Sequence, residues 1–300
     1  MARRVRVDAE LVRRGQARSR QEAADLIEAR RVLVDGAPVA KAATQVDPAQ
    51  AIVVKDADDD PRYASRGALK LAGALDALGP AAPRVQGRRA LDAGASTGGF
   101  TDVLLRRGAA HVVAADVGYG QLAWRLRQDP RVTVLDRTNV RSLRPEDVAP
   151  APELVVADLS FISLTLVLPA LAAVAAPDAD FFLLVKPQFE VGRERLGAGG
   201  VVRSAELRAE AVRSVCAAAA DLGLQTWAVV ASPLPGPSGN VEYFVGLRRG
   251  SAAAAGYGDV AGERSDGRAV GAEAVESADL DSMIARAVAS GPDGGEGVDR

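Results

Sequence analysis

The residues Asp92-Ala-Gly94-Ala-Ser96-Thr-Gly98-Gly99-Phe100 follow a short apolar run and open a helix-compatible stretch. Glycines in such a place let backbone approach a ligand closely, and a helix start offers free N–H groups. Twenty-two residues after Gly94 the next apolar run ends in Asp116. An acid at that position suits hydrogen bonding to a ribose diol. A nucleoside-bearing cofactor is therefore expected. The plainer alternative, a tight turn without a ligand, does not account for the whole order of strand, loop, helix, strand and acid. The loop is not G-x-G-x-x-G, which disfavours a nicotinamide dinucleotide; its Asp92-x-Gly94-x-x-x-Gly98 form points to S-adenosylmethionine. The expected cofactor residues are Asp92, Gly94, Ser96, Gly98, Phe100 and Asp116, with Asp136 and Asn139 after the third strand on the adenine side.

Methyl transfer is an in-line displacement at a sulfonium, so the acceptor must be aligned and, if weak, deprotonated. After the fourth apolar run stands Asp158-Leu-Ser-Phe161, without the prolines typical of amino-methylating enzymes. Carbon-5 methylation of a pyrimidine needs a thiolate, and the one cysteine, Cys216, lies in an Ala-rich stretch that reads as core. A hydroxyl acceptor remains. A ribose 2′-hydroxyl is weakly acidic and needs a base, a task a lysine performs when burial or a neighbouring cation lowers its pKa. Lys186 ends the apolar run Phe181–Val185 and precedes Pro187, which puts it at a carboxyl edge where α/β sites lie. Asp158 ends another run, Glu242 opens the last one, and Lys70 lies just ahead of the first. Each alone reads as a solvated surface residue. Lys70 equally flanks a helix stripe of Leu71, Leu75 and Leu78. Together they form a candidate Lys-Asp-Lys-Glu tetrad: Lys70, Asp158, Lys186 and Glu242.

The elements that must position these groups follow from periodicity. Short, unbroken apolar runs at 90–92, 111–116, 132–135, 154–157 and 181–185 alternate with helical stretches such as 100–107 and 120–128. This is the signature of buried parallel strands in a doubly wound α/β domain. Glu206 to Leu222 reads as an Ala-rich helix and Tyr243–Leu247 as a late strand. Residues 1–60 form a separate small α/β module. There Asp8 is expected to cap a short helix and Ser19-Arg-Gln-Glu22 to form a capping box. Asp35-Gly36 reads as a tight turn between strands. The expected division is a module at 1–60, a linker at 61–66, a catalytic domain at 67–249 and an acidic tail at 250–300. That tail is expected to be flexible over 250–278, with a terminal helix over 280–289.

Composition narrows the function. Over 300 residues, 48% hydrophobic content excludes wholesale disorder and implies about two domains. One cysteine and one histidine, His111, exclude an internal disulfide and a His- or Cys-rich metal site. The N-terminus has no apolar h-region, and the most apolar stretch, 159–185, is broken by Pro169, Pro177, Asp178 and Asp180. A cytoplasmic protein without stable membrane association is expected. The net charge of −2 hides an asymmetry: residues 251–300 carry four arginines and ten acids, while residues 1–41 have nine arginines and one lysine against six acids. Basic charge at the front suits phosphate contacts, for which Arg3, Arg4, Arg6, Arg13, Arg14, Arg18, Arg20, Arg30, Arg31 and, nearer the second domain, Arg66 are candidates.

Five segments carry a resemblance. Ser65-Arg-Gly-Ala-Leu-Lys70, Asp92 to Thr101, Ala157-Asp-Leu-Ser-Phe-Ile-Ser163, Lys186-Pro-Gln-Phe-Glu190 and Pro235-Gly-Pro-Ser-Gly-Asn-Val-Glu242 resemble motifs of the TlyA family. These are ribosomal RNA cytidine 2′-O-methyltransferases, historically labelled haemolysins. The resemblance covers about residues 1–249. It implies a class I, Rossmann-like methyltransferase domain preceded by an S4-type RNA-binding domain, S-adenosylmethionine as cofactor and the same four-residue tetrad. It also implies that Arg62-Tyr63-Ala64-Ser65 is the linker coupling RNA binding to cofactor binding. The Arg-rich start resembles the longer form acting on both 16S and 23S rRNA, in 30S and 50S subunits. The competing functions are a membrane-active haemolysin and a non-catalytic RNA-binding assembly factor.

Overall fold

The computed structural model describes residues 4–17, 19–28, 30–54, 63–236, 238–250 and 277–291. Arg3, Arg18 and the stretch expected to be flexible after residue 250 lie wholly or largely outside them. The chain divides into two compact units, Met1–Arg62 and Tyr63–Arg300.

The first unit contains β1 (Val5–Arg6), α1 (Val7–Arg13), α2 (Arg20–Glu28), β2 (Val32–Val34), β3 (Ala37–Pro38), β4 (Gln45–Val46) and β5 (Ile52–Val54). β1 pairs antiparallel with β4, and β3, β2 and β5 form a second small sheet. Asp35 and Gly36 both take positive φ, 49° and 83°, which is what a two-residue turn between β2 and β3 requires. The core is Val7, Leu11, Ala23, Ile27, Val32, Val46 and Ile52 with a few smaller neighbours. Ser19 Oγ accepts from Glu22 N–H at 3.1 Å and so fixes the start of α2. Asp8 does not cap α1. Arg6 precedes the helix, and Asp8 is inside its first turn with its carboxylate taken by arginine side chains.

The second unit is built on a seven-stranded sheet. Its elements are α3 (Gly67–Leu78), β6 (Arg89–Ala93), α4 (Gly99–Arg106), β7 (His111–Ala115), α5 (Trp124–Arg127), β8 (Val132–Leu135), α6 (Pro145–Val148), β9 (Leu154–Ala157), α7 (Leu168–Val174), β10 (Asp180–Val185), α8 (Pro187–Glu190), α9 (Ala205–Ala220), β11 (Leu224–Ala231), β12 (Tyr243–Arg249) and α10 (Ser277–Ser290). The strand order is β11-β12-β10-β9-β6-β7-β8. All pairs from β8 to β10 are parallel; β12 runs antiparallel to both its neighbours. The helix expected over 120–128 is only the single turn of α5, since Gly120 takes a φ of 66°. β11 was not anticipated from the sequence.

Successive side chains of a strand face opposite sides of a sheet. Leu91, Val113, Val155, Phe181, Leu183, Val185, Tyr243 and Val245 pack on one face against α7, α9 and α10. Ala90, Val112, Leu154, Val156, Phe182, Leu184 and Phe244 pack on the other against α3, α4 and α5. Both faces are covered, which explains the continuous apolar runs. The chain reverses its direction of winding between β6 and β9, and ligands of such sheets bind outside the carboxyl ends at that switch point.

Candidate active site

Titratable residues gather toward the carboxyl edge because the strand alternation carries them there. Asp92 in β6, Asp158 after β9, Lys186 after β10 and Glu242 before β12 continue the parity of Ala90, Val156, Leu184 and Phe244. That is the face covered by α3, which supplies Lys70. In the β10–β12 pairing Val185 stands opposite Tyr243, so the next positions outward are Lys186 and Glu242. Lys186 Nζ lies 2.6 Å from Asp158 Oδ1 and donates to Ser160 Oγ at 2.9 Å. Lys70 Nζ donates to Glu242 Oε2 at 2.6 Å, a pair spanning 172 residues of sequence. Lys70, Lys186 and Glu242 are all buried. Burying charges is costly unless they are paired, and here each cation has its carboxylate.

Beside these pairs opens a cavity of about 470 Å³ lined by Gly94, Ser96, Asp116, Gln121, Asn139 and the loop Asp158–Ile162 among others. Asp116 shapes its floor. One carboxylate oxygen accepts from Ser96 N–H at 2.8 Å and the other from Gly118 N–H at 2.7 Å. Gly94 has a φ of 84°, and a Cβ there would lie 2.7 Å from the Asp158 carbonyl oxygen. The loops after β6 and β9 thus touch, which only glycine permits at this φ. Gly99 serves the packing: a Cβ would lie 2.9 Å from the backbone nitrogen of Ala68, so α3 and α4 cross at this point.

Of the eight residues expected at the cofactor, Gly94, Ser96, Asp116 and Asn139 line the cavity. The other four do not. Phe100 is core, its ring stacked 5.9 Å from Phe244. Asp136 is taken by Arg127 Nη2 at 2.8 Å. Gly98 caps α4 in the left-handed region. Asp92 lies behind the loop, wholly buried, accepting from Thr101 Oγ at 2.6 Å with Oδ1 left without a partner. The sequence reading missed Gln121 and Arg141, both on the cavity wall. It also passed over Phe161 as a surface feature: the ring is 91% exposed, its φ is 65°, and Phe189 packs against it with centroids 5.2 Å apart. Glu190 anchors the same loop, accepting from Ser163 Oγ at 2.5 Å and from Leu164 N–H at 2.9 Å.

Desolvation pushes the Asp92 carboxyl up to about 7, against the Thr101 hydrogen bond, with the charges of Asp158 and Asp116 adding to the rise. The folded chain therefore holds a proton there that the unfolded chain releases near pH 4. The contribution of Asp92 to stability falls as pH rises from about 4 to about 7 and then levels. Asp92→Asn removes this penalty. In the cofactor-free protein its melting temperature relative to wild type should be higher at pH 8 than at pH 5; an equal difference at both would place the titration elsewhere.

The comparisons with known proteins give the family. The FtsJ-like methyltransferase family matches residues 63–249, and the S4 domain matches residues 5–52. The 16S/23S rRNA (cytidine-2′-O)-methyltransferase TlyA of Mycobacterium tuberculosis is 63% identical over 248 residues, 83% of this chain and 91% of that protein. This chain belongs to the TlyA family of FtsJ-like methyltransferases. Another relative, Hemolysin A of Brachyspira hyodysenteriae, is 35% identical over 80% of this chain and 98% of its own. A solved structure from Streptococcus thermophilus carrying a provisional hemolysin label has a TM-score of 0.67 at 34% identity and covers 96% of both chains. The hemolysin labels therefore sit on the same fold. No helix among the described residues of this chain is long and apolar enough to cross a membrane.

Proposed function

We propose that the chain methylates the ribose 2′-hydroxyl of a cytidine in ribosomal RNA, in both 16S and 23S rRNA, acting on the subunits in the cytoplasm. The observation that carries this reading is the Lys186–Asp158 pair, 2.6 Å apart, at the wall of a nucleoside-sized cavity. The residues present fit S-adenosylmethionine. Asp116 faces the cavity as a ribose acceptor, Asn139 lies on the adenine side, and the fully buried Asp92 carries an unpartnered oxygen behind the glycine loop. When bound, that cofactor supplies an electrophilic methyl group on a sulfonium. The chain's own residues do the rest.

Lys186, cationic beside Asp158 at rest, serves as the base in its neutral amine form: Nζ takes the hydroxyl proton as the 2′-oxygen displaces sulfur from the methyl carbon. Asp158, already paired with that nitrogen, stabilises the ammonium that results. Lys186 suits this task better than Lys70, because its partners Asp158 and Ser160 line the cavity whereas the Lys70–Glu242 pair does not. Lys70 and Glu242 then act as positioning residues that hold the buried wall. Phe161, fully presented at the rim, offers a stacking surface for a base drawn out of its helix. Among the first-domain arginines, Arg4, Arg6 and Arg20 supply RNA phosphate contacts, together with Arg66 at the head of α3. Arg14 is assigned elsewhere: its Nη2 donates to the carbonyl oxygens of Pro48 and Gln50.

The test is tritiated methyl transfer from S-adenosylmethionine to separated 30S and 50S subunits, followed by mapping of the labelled nucleotide. Label at a cytidine 2′-oxygen on both subunits is expected. Label on 50S alone would keep the activity and remove the dual specificity. Cofactor binding without any label would replace the enzyme by an RNA-binding assembly factor.

A further inference from the structure

Two carboxylates in the first helix, Asp8 and Glu10, are buried at 3% and 2% exposure. Each holds two arginines, but to different ends. Glu10 takes Arg13 and Arg14, and Arg14 turns inward to backbone carbonyls. Asp8 takes Arg6 and Arg20, whose side chains remain 44% and 60% exposed. Arg6 binds it through two nitrogens, Nε to Oδ1 at 3.0 Å and Nη2 to Oδ2 at 2.9 Å. Arg20, twelve residues on and in the next helix, adds Nη2 to Oδ2 at 2.9 Å. The Asp8 side chain in turn accepts from Ala9 N–H at 2.8 Å, which ties it to the helix. Among the described residues no other carboxylate pairs with either guanidinium. The hydrogen bond from Arg6, then that from Arg20, holds the Asp8 carboxyl well below the usual carboxylate range, so it stays charged wherever RNA is bound.

The arrangement is two cations on one buried anion, a net charge of +1, with the outer guanidinium edges facing solvent. Planar guanidinium forks match phosphate oxygens, and holding them in place removes rotamer entropy that binding would otherwise cost. We propose that Asp8 is a positioning residue that assembles Arg6 and Arg20 into a single phosphate clamp for RNA. This rests on the reading of the chain as an rRNA enzyme.

The proposal makes a prediction opposite in sign to simple electrostatics. Removing an acid from an RNA-binding surface adds positive charge and should tighten binding. Asp8→Asn should instead weaken it, by about tenfold, since it frees two long side chains. The slope of log affinity against log salt should stay unchanged, because both arginines still reach phosphate. Glu28→Gln, the same charge change on exposed α2, should leave affinity equal or slightly tighter. The experiment measures binding of the full-length protein to purified 50S subunits across a salt series, for wild type, Asp8→Asn, Glu28→Gln and Arg6→Gln/Arg20→Gln with and without Asp8→Asn. In the arginine-free background Asp8→Asn should have no further effect, because the aspartate acts only through those side chains. A Asp8→Asn variant that binds as well as or better than wild type overturns the clamp. So does an Asp8→Asn loss that persists in the arginine-free background with a reduced salt slope, which is the mark of a disrupted domain. Wild-type protein that does not bind 50S subunits at any salt concentration would overturn the rRNA reading itself, a result distinct from either.

Discussion

Lys186→Ala is expected to lower single-turnover methyl transfer by about 10³-fold while leaving cofactor affinity within about threefold of wild type. The loss falls on chemistry because Lys186 is not itself on the cavity wall and reaches it only through Asp158 and Ser160, while Gly94, Ser96, Asp116 and Asn139 line it unchanged. Lys186→Arg separates the two things a lysine does here. It keeps the positive charge beside Asp158 but cannot give up a proton in a protein. Loss of transfer in both variants, with 50S binding intact in each, identifies Lys186 as the proton acceptor. Arginine activity above about a tenth of wild type would make it an electrostatic partner only.

Gly94→Val should weaken S-adenosylmethionine binding by about 10²-fold, measured by calorimetry on the cofactor-free protein. Two penalties combine. The φ of 84° is hard for a β-branched residue, and its Cβ would meet the Asp158 carbonyl oxygen. Relieving the overlap separates the loops after β6 and β9, which displaces Ser96 N–H from Asp116 and Asp158 from Lys186 together. Both affinity and turnover fall as a result. A Gly94→Val protein with unchanged affinity and melting temperature would show that the loops are not so coupled.

The glycine loop, the acid at the end of β7 and the five parallel strands were legible because each is a local pattern. Asp116 lies on the cavity wall because it directly ends an apolar run, a relation that sequence displays. The four tetrad positions were legible as a set of strand ends, but their pairing was not. That Lys70 meets Glu242 and Lys186 meets Asp158 depends on β12 running antiparallel beside β10, and the β11 strand that precedes it carries no clean alternation. Phe100 and Asp136 lie off the cavity wall for a physical reason. Phe100 points along the sheet face into the aromatic stack of Phe182 and Phe244, and Asp136 was already claimed by Arg127 one helix away. Arg14 read as a phosphate contact because charge alone does not tell an outward side chain from one capping backbone carbonyls.

The Lys70–Glu242 pair has a consequence for the life of the chain on the ribosome that makes it. Domains form as units during synthesis, and contacts of long sequence separation wait for their last member. Glu242 enters only with β12, inserted between β10 and β11 after all the other strands have been made. Until then Lys70 lacks its counter-charge, and β10 has β9 as its only sheet neighbour among the described strands. The Lys186–Asp158 pair needs only β9 and β10, so the four charges assemble in two stages, with the Lys70–Glu242 pair last.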